Sequence, residues 1–294
     1  MKFTLLAHPP FSLSTVIRSH GWIKLAPFNA DGHTSGLTYI DKLTSGRVVE
    51  FLIQEATGGE SVEMDGKLSQ VERDEIASKV NWMLSLEQDF SAFYALARSE
   101  PKLAHVEHQA QGRVLRCPTL FEDVIKTILT TNTLWTHTIC MAESLVSQFG
   151  DPLPADPTRH AFPTPGQLAA TDEETLRSKA RLGYRAPYVL GLARSIASDT
   201  LDLEALKTDD LPTVQLRKHL LAIKGVGGYA AANLLMLLGR YHFVPVDSWA
   251  LKMVSHEWYN NEQIEQAQVE AVFERWGEWK GLAYWFWDWS FVNG

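Results

Sequence analysis

The sequence predicts an α+β protein with an antiparallel β layer near the N-terminus and a mostly α-helical body. Residues 1 to about 85 alternate short strand-like runs with turn signals. The run RVVEFLIQEA (47–56) is rich in Val, Ile and Phe, and the turn TGGE (57–60) follows it. From residue 71 onward the apolar residues recur at helical spacing. The chain of 294 residues has 45% hydrophobic content, enough to bury a large core, and its length favours two domains.

The helices are predicted in chain order from their apolar periodicity. VERDEIASKVNWMLSL (71–86) and LFEDVIKTIL (120–129) are the first two, and HTICMAESLVSQFG (137–150) ends at Gly150, a helix stop. We expect a loop over 151–165, because this stretch contains five prolines. Further helices are predicted over 165–199, 212–222 and about 262–278.

Composition excludes several classes of protein. The two cysteines, Cys117 and Cys140, are too few for a disulfide framework or a cysteine-ligated cluster. The ten histidines show no metal-ligand spacing, so no metal held by side chains is expected. The N-terminal residues do not resemble a signal peptide, and no apolar run reaches the eighteen or so residues of a membrane span. We therefore expect an intracellular, soluble protein that does not contact a membrane.

The net charge of −8 is unusual for a protein that binds nucleic acid. Residues 112–260 carry 15 basic and 15 acidic residues, whereas the two flanks together carry 12 basic and 20 acidic residues. The acidic excess therefore belongs to the ends of the chain. The middle of the chain remains able to present a basic face to DNA.

The stretch KGVGGYAAANLLMLLG (224–239) joins a tight glycine turn to a helix rich in Ala and Leu. Gly225 and Gly227 allow positive φ and leave no side chain between the backbone and a ligand. The start of the helix offers N–H groups and a partial positive charge that suit a phosphate. The alanines at 230–232 let two helices approach closely. The pattern indicates a helix–hairpin–helix that grips a DNA backbone, although an ordinary αα-hairpin has the same spacing.

A single carboxylate, Asp247, stands in the apolar run FVPVDSWALKMV (243–254). An Asp at this place is explained by an N-cap role for the following helix. It is also explained by a partly buried carboxylate that stabilises a developing positive charge or activates water. The residues alone leave both explanations open.

The segment IKGVGGYAAANLL followed by VPVDSW resembles the helix–hairpin–helix/Gly-Pro-Asp superfamily of DNA glycosylases, and the similarity covers most of the chain. LRCPTLFEDVIKTILTTNTLWTHT resembles the family segment that enters the active-site cleft, and FPTPGQLAATDEETLRSKARLGYRAPYVLGLARSI resembles the stretch after it. LGYRA and WGEWKGLA are closest to the 8-oxoguanine glycosylase branch. The N-terminal strands fit the β layer shared with the 3-methyladenine glycosylase II type.

This resemblance implies three parts of the chain. Residues 1–110 form a β-containing domain. Residues 111–260 form a helical glycosylase domain whose helix–hairpin–helix spans about 212–240, and residues 261–294 form a helical segment that closes the base pocket. The flipped nucleotide is expected in a cleft between the β-containing part and the helical part.

The catalytic Asp of the family matches Asp247. Bifunctional members carry a lysine, which attacks the sugar and forms a Schiff base, where this chain has Tyr229. A tyrosine cannot form an imine, so a monofunctional enzyme is expected. Lys224 and Lys252 do not match the family position, and a displaced lysine stays open as an alternative.

The resemblance also implies a base pocket. The pocket Gln and Phe of the 8-oxoguanine branch fall at Tyr284 and Asp288, so recognition of 8-oxoguanine is not expected. Tyr229 and Trp285 complete the predicted pocket. Taken individually, aromatic residues such as Trp279, Tyr284, Trp285 and Trp287 belong more often to a core than to a pocket.

The resemblance implies DNA contacts outside the pocket. Asn132 stands where the 8-oxoguanine branch has the Asn that fills the gap left by the flipped base. Tyr184 and Arg185 match the residues that wedge the duplex and touch the orphaned partner base, and His137 replaces a second arginine that reads this partner. A helix cap explains Asn132 without DNA, and a surface position at a helix start explains Tyr184 and Arg185.

The sequence thus predicts a monofunctional DNA glycosylase of base excision repair, acting as a monomer on double-stranded DNA with a damaged base in the bacterial cytoplasm or the nucleus. DNA would lie on Gly225, Val226 and Gly227, and the resemblance implies a bound monovalent cation there and no other cofactor. An alkylated purine is the expected lesion. The alternatives are an 8-oxoguanine glycosylase with lyase activity and a non-catalytic protein that binds DNA of a particular structure.

Overall fold

The structure is a computed structural model that describes residues 2–30, 36–56, 59–64 and 68–289. These residues form helices together with two small antiparallel sheets, so the predicted α+β class is confirmed. None of the described helices is long and apolar enough to cross a bilayer.

The N-terminal sheet has five antiparallel strands in the order β1-β5-β4-β3-β2. The predicted strand over 47–56 is confirmed as β4. Val49, Phe51 and Ile53 on this strand are buried, and the residues between them are less so, as expected for a strand with one face on a core. The turn predicted at 57–60 falls partly outside the described residues. The strands are β1 (Lys2–Leu6), β2 (Phe28–Asn29), β3 (Leu37–Lys42), β4 (Val48–Ala56) and β5 (Gly59–Met64).

The helices predicted over 71–86, 120–129, 137–150 and 212–222 are confirmed within two residues at most ends. The helices of the first half are α1 (Leu13–Ile17), α2 (Gln70–Leu84), α3 (Ser91–Ala97), α4 (His105–His108), α5 (Leu120–Thr130), α6 (Trp135–Phe149) and α7 (Pro165–Ala169). Those of the second half are α8 (Glu173–Ser178), α9 (Ala186–Ala197), α10 (Thr213–Ala222), α11 (Gly228–Leu237), α12 (Ser248–Trp258), α13 (Gln266–Phe273) and α14 (Lys280–Trp285).

The loop predicted over 151–165 is wrong. This stretch contains a two-stranded antiparallel hairpin of β6 (Pro152–Leu153) and β7 (Asp156–His160). Proline fits such a hairpin because an edge position requires fewer backbone N–H donors. Ion pairs to the large sheet hold the hairpin, with Arg159 Nη2 2.5 Å from Glu50 Oε1 and Lys42 Nζ 2.6 Å from Asp151 Oδ2.

Gly150 ends α6 as predicted, but not through a left-handed conformation. Its φ is −78° and its ψ is 160°, which any residue can adopt. The requirement for glycine comes from packing, because a Cβ at this position would lie 1.9 Å from the carbonyl oxygen of Ala161.

The last predicted helix, over 262–278, is shorter than expected. α13 ends at Phe273, a 3₁₀ segment continues to Trp279, and Gly277 within it has φ of 54°. Left-handed backbone cannot belong to a regular α-helix, so a new helix, α14, begins at Lys280.

Contacts within the chain divide it into two compact units. The first unit comprises Met1–Gln88 and Arg113–Lys207, and the second comprises Asp89–Gly112 and Thr208–Gly294. Neither unit is continuous in sequence, whereas the parts predicted with boundaries at residues 110 and 260 are continuous. The three-part division by sequence stays a prediction.

The first unit is organised around α5, which is buried from Leu120 to Leu129. Even its charged residues are buried: Lys126 Nζ lies 2.7 Å from Glu122 Oε1, and the Tyr39 hydroxyl donates to Glu122 Oε2 at 2.5 Å. Asp123 accepts hydrogen bonds from the Trp22 indole and the Cys117 amide, and its burial raises the pKa of its carboxyl to about 7. These buried bonds hold α5 against the sheet and thus position the segment that follows it.

Candidate active site and DNA-binding elements

The glycine turn lies in the second unit, between α10 and α11. Gly225 has φ of 93°, so the positive φ predicted for this residue is confirmed. The Val226 amide donates to the Ile223 carbonyl at 3.0 Å, which closes the turn, and the Val226 side chain is buried. The positive φ predicted for Gly227 is wrong, because Gly227 is the N-cap of α11 with φ of −92°.

Gly227 has a different function in the turn. A Cβ built at this residue meets no described heavy atom within 4 Å, so glycine leaves open space above the start of α11. The N-cap carries no side chain to satisfy the first amides of the helix. The turn therefore combines an accessible backbone with the positive end of a ten-residue helix, which is the arrangement that a phosphate requires.

Asp247 is the N-cap of α12, and its Oδ1 accepts a hydrogen bond from the Ala250 amide at 2.8 Å. The N-cap explanation of this residue is thus confirmed. A catalytic role is compatible with it, because one carboxylate oxygen makes this bond and the residue is only partly buried. The bond to Ala250 also holds the carboxylate at the start of α12.

Two of the predicted pocket residues, Tyr229 and Tyr284, lie close enough to Asp247 for its charge to affect their pKa values. Burial is the main cause that raises the pKa of both phenols, and the Asp247 carboxylate raises the pKa of each further. Tyr229 also raises the pKa of Tyr284, so the three groups form one cluster. Both phenols are therefore neutral, and they lie near the carboxylate.

Trp249 is a neighbour of the Asp247 cluster that was not among the predicted site residues. It lies two residues after Asp247 and is 42% exposed, although it packs edge-to-face against Tyr284 at 6.4 Å and Trp289 at 5.5 Å between ring centroids. These contacts fix the indole plane and leave much of the ring accessible. The signal in the sequence was a large aromatic residue in the first turn of the helix that the Asp caps.

The other two predicted pocket residues lie differently. Trp285 is partly buried at the end of α14. Asp288 is exposed, and its backbone is held by Lys102, whose carbonyl accepts the Asp288 amide at 3.0 Å and whose Nζ donates to the Asp288 carbonyl at 3.1 Å. Their place in a base pocket stays a prediction.

Asn132 lies in the first unit, in the turn between α5 and α6. It is exposed and has φ of 46°, a left-handed conformation that Asn tolerates better than most residues. The N-cap of α6 is Leu134, and no side chain caps this helix. The alternative that Asn132 caps the helix is therefore wrong. His137 is exposed in the first turn of α6.

Tyr184 and Arg185 are neighbours in sequence with opposite environments. Tyr184 is 46% exposed, as a surface position or a DNA contact requires, whereas Arg185 is only 6% exposed. The Arg185 guanidinium donates from Nε to the Ile128 carbonyl at 3.2 Å and from Nη2 to the Thr131 carbonyl. The explanation of Arg185 as a surface residue is wrong, and its contact with the partner base stays a prediction.

Two further features are possible metal ligands and the two lysines, Lys224 and Lys252, named as an alternative source of lyase activity. Among the described residues, no group of three or more His, Cys, Asp or Glu side chains could hold a metal ion. Lys224 and Lys252 are both exposed.

A known family model matches the part of the chain that contains both the glycine turn and Asp247. Residues 125–278, more than half of the chain, match the model of the HhH-GPD superfamily base excision DNA repair proteins. The chain belongs to this superfamily. It is therefore a DNA glycosylase of base excision repair, and it binds DNA.

Individual relatives come from both branches expected within the superfamily. The chain is 24% identical over 223 residues to the DNA-3-methyladenine glycosylase of Bacillus subtilis, a match covering 74% of this chain and 72% of that protein. It is 25% identical over 199 residues to the N-glycosylase/DNA lyase of Saccharomyces cerevisiae, covering 55% of this chain and 52% of the yeast protein. Among solved structures, MBOgg1 in complex with a low-affinity DNA ligand has a similar fold, with a TM-score of 0.76 and 22% sequence identity. The match covers 100% of this chain and 96% of the MBOgg1 chain.

The hairpin geometry of this HhH-GPD protein separates two glycine substitutions. We expect Gly227→Ala to weaken binding of all duplexes alike, because its Cβ enters the space through which a phosphate approaches, while the fold tolerates it. Gly225→Ala is the matched comparison: at φ of 93° an L-residue costs about 1–2 kcal/mol, so this variant should lose thermal stability. Fluorescence anisotropy with undamaged and lesion-bearing duplexes, together with melting temperatures, measures both effects. A Gly227→Ala protein that changed its selectivity among lesions but kept its affinity for undamaged DNA would contradict the backbone-grip interpretation.

Proposed function

We propose that this HhH-GPD protein is a monofunctional glycosylase that removes alkylated purines from double-stranded DNA, with Asp247 as its catalytic carboxylate. The observation that carries this proposal is the cluster of Asp247 with Tyr229, Tyr284 and Trp249 in the second unit. Tyr229 in this cluster occupies the position at which bifunctional relatives carry a lysine. The 3-methyladenine glycosylase among the relatives supports the same class of lesion.

Asp247 would act on the sugar. As the bond to the base breaks, positive charge develops on the ring oxygen and the anomeric carbon, and a carboxylate held at a helix start stabilises this charge without reorganisation. The same carboxylate would orient a water molecule for attack on the anomeric carbon. The products are the free base and an abasic site, with no covalent intermediate.

The aromatic residues would select the base. A purine alkylated at a ring nitrogen carries a positive charge in DNA, and a cation over an aromatic face is stabilised by about 0.5–2 kcal/mol. Trp249 offers an accessible indole, and the neutral Tyr284 lies edge-on against it. 8-Oxoguanine is neutral and gains nothing from such a surface beyond ordinary stacking.

The hairpin would hold the DNA. The backbone at Gly225, Val226 and Gly227 would lie against the phosphates, and the carbonyl groups of the turn would hold a monovalent cation that adds positive charge there. The closed turn fits this use, since the Ile223 carbonyl and the positive φ of Gly225 set the directions of its carbonyl groups. Binding as a monomer is part of the proposal.

One alternative has support of its own. The yeast relative is an N-glycosylase/DNA lyase, which favours an 8-oxoguanine glycosylase whose lyase activity comes from a displaced lysine, Lys224 or Lys252. Both side chains are exposed. Borohydride trapping and the choice of lesion separate this alternative from the proposal.

A panel of duplexes tests the lesion. Under single-turnover conditions we expect excision of 3-methyladenine and 7-methylguanine and no excision of 8-oxoguanine at the same enzyme concentration. Trp249→Leu should slow excision of 7-methylguanine about five- to thirtyfold, which corresponds to about 1–2 kcal/mol of lost cation–π energy, whereas Trp249→Phe should keep most of the rate. If 8-oxoguanine were excised faster than 3-methyladenine and 7-methylguanine, the alkylpurine proposal would be rejected.

Borohydride trapping tests the absence of a covalent intermediate. With tyrosine at the lysine position, strand breakage should require added alkali or heat, and borohydride should trap no protein–DNA adduct. A trapped adduct that disappears in Lys224→Ala or Lys252→Ala would assign the protein to the bifunctional class.

Asp247→Asn separates catalysis from helix capping. Asn caps a helix about as well as Asp, so the melting temperature should barely change. If the carboxylate stabilises the sugar cation, the single-turnover rate should fall by about 10²–10³-fold. Affinity for DNA should hold or rise slightly, because a negative charge near the phosphates is removed. A variant that excises at nearly the wild-type rate would end the case for catalysis at this residue.

A further inference from the structure

The turn between α5 and α6, residues 131–134, is shaped to project side chains from the first unit. Asn132 is exposed with left-handed backbone, and Leu134 is 68% exposed. A left-handed residue in a short exposed turn is not held by helical hydrogen bonds. The turn is held instead by a side chain from another part of the first unit.

The group is the guanidinium of Arg185, which lies behind the turn. Its Nε donates to the Ile128 carbonyl at 3.2 Å, its Nη2 donates to the Thr131 carbonyl, and its Nη1 lies 4.0 Å from the sulfur of Met141. The side chain is buried, so these partners replace water. All three nitrogens of the fork are thus directed at the turn and the helices beside it.

These bonds satisfy the free carbonyls at the end of α5. The last carbonyls of a helix lack helical partners, and a cation at this end is favoured by the helix dipole. The Ile128 carbonyl also accepts from the Thr131 hydroxyl at 2.8 Å, and the Thr131 carbonyl also accepts from the Tyr184 hydroxyl at 3.2 Å. Arg185 and Tyr184 therefore bind the same carbonyl group, and the guanidinium lies 4.5 Å from the centroid of the Tyr184 ring.

The segment before Arg185 explains how two neighbours reach opposite environments. Arg181 has φ of 58° and Gly183 has φ of 56°, so the chain turns sharply twice before α9 begins. Tyr184 is left on the surface, and Arg185 is directed under the α5–α6 turn. The arginine thus connects the two surface features that carry Asn132 and Tyr184.

We infer that Arg185 is a positioning residue, which holds Asn132 and Tyr184 in place for the DNA, and that it does not read the base opposite the lesion. A bidentate contact of arginine to a base uses two fork nitrogens, and such a contact here would break the bond to Thr131. With His137 at the other arginine position, the opposite base meets neither arginine of the 8-oxoguanine branch. Excision should therefore depend little on that base. The inference rests on the proposed glycosylase function and on the DNA contacts that the resemblance implies for Asn132 and Tyr184.

The first experiment varies the opposite base. Single-turnover excision of 7-methylguanine placed opposite each of the four bases should differ by less than about threefold in the wild-type protein. A preference of more than about tenfold for one base, lost in Arg185→Met while the other three rates remain, would overturn the inference, because Arg185 would then be the reader.

The second experiment compares variants of two arginines. Arg185→Met removes every carbonyl contact, and Arg185→Lys keeps the charge but not the fork. The control is Arg194→Met on α9, since Arg194 also donates to a backbone carbonyl, that of Thr171 at 3.3 Å, but is exposed and lies away from the turn. The substrates carry 7-methylguanine opposite cytosine or opposite an abasic site, where no partner base has to be separated.

We expect Arg185→Met to slow excision opposite cytosine at least tenfold and opposite an abasic site less than threefold, with Arg185→Lys in between and Arg194→Met unchanged. Asn132→Ala should give the same pattern, and the double variant should be no slower than the slower single variant. Equal slowing on both substrates together with a lower melting temperature would reduce Arg185 to a general stability role. No slowing at all would also overturn the inference.

A fluorescence measurement separates this inference from the proposed function. 2-Aminopurine placed beside the lesion reports opening of the duplex on binding and requires no excision. If the wild-type protein opens the duplex but excises no alkylated purine, the proposed lesion is wrong, and loss of opening in Arg185→Met still tests the inference.

Discussion

The hydrogen bond from the Ala250 amide to Asp247 is the interaction on which the candidate active site depends. It fixes the carboxylate at the start of α12. Burial raises the pKa of Tyr229 and of Tyr284, the charge of this carboxylate raises both further, and Trp249 packs against Tyr284 beside it. An N-cap and a catalytic carboxylate are therefore not competing explanations, because the cap supplies the rigidity that electrostatic catalysis requires.

Helix ends recur at each position that we connect with DNA. At the start of α11 the Gly227 N-cap carries no side chain, so the positive end of the helix is accessible to a phosphate. At the end of α5, in contrast, carbonyl groups are bonded by side chains: Arg185 donates to the Ile128 carbonyl, and Tyr184 donates to the Thr131 carbonyl. These bonds hold the exposed turn that follows. The DNA contacts that we propose use both arrangements: accessible amide donors for the phosphates and a rigid turn that carries Asn132.

The protein combines features of two branches of its superfamily. LGYRA and the Asn of the α5–α6 turn resemble the 8-oxoguanine branch, whereas Tyr229 and the aromatic cluster at Asp247 are the basis on which we propose hydrolysis of alkylated bases without a covalent step. The fold accommodates both sets because they belong to different compact units.

The sequence by itself determined the α+β class, most helices, the hairpin and the family, because periodicity, glycine turns and a motif of fixed spacing are local properties. It did not determine why Gly150 must be glycine, which depends on the Ala161 carbonyl, nor that 151–165 forms a hairpin held by Glu50 and Lys42. Only the tertiary structure decided that Arg185 is buried, although its neighbour Tyr184 is exposed, and that Trp249 joins the cluster at Asp247. The physical reason is the same in each case: burial and hydrogen-bond partners are set by residues distant in the chain, and no local pattern contains them.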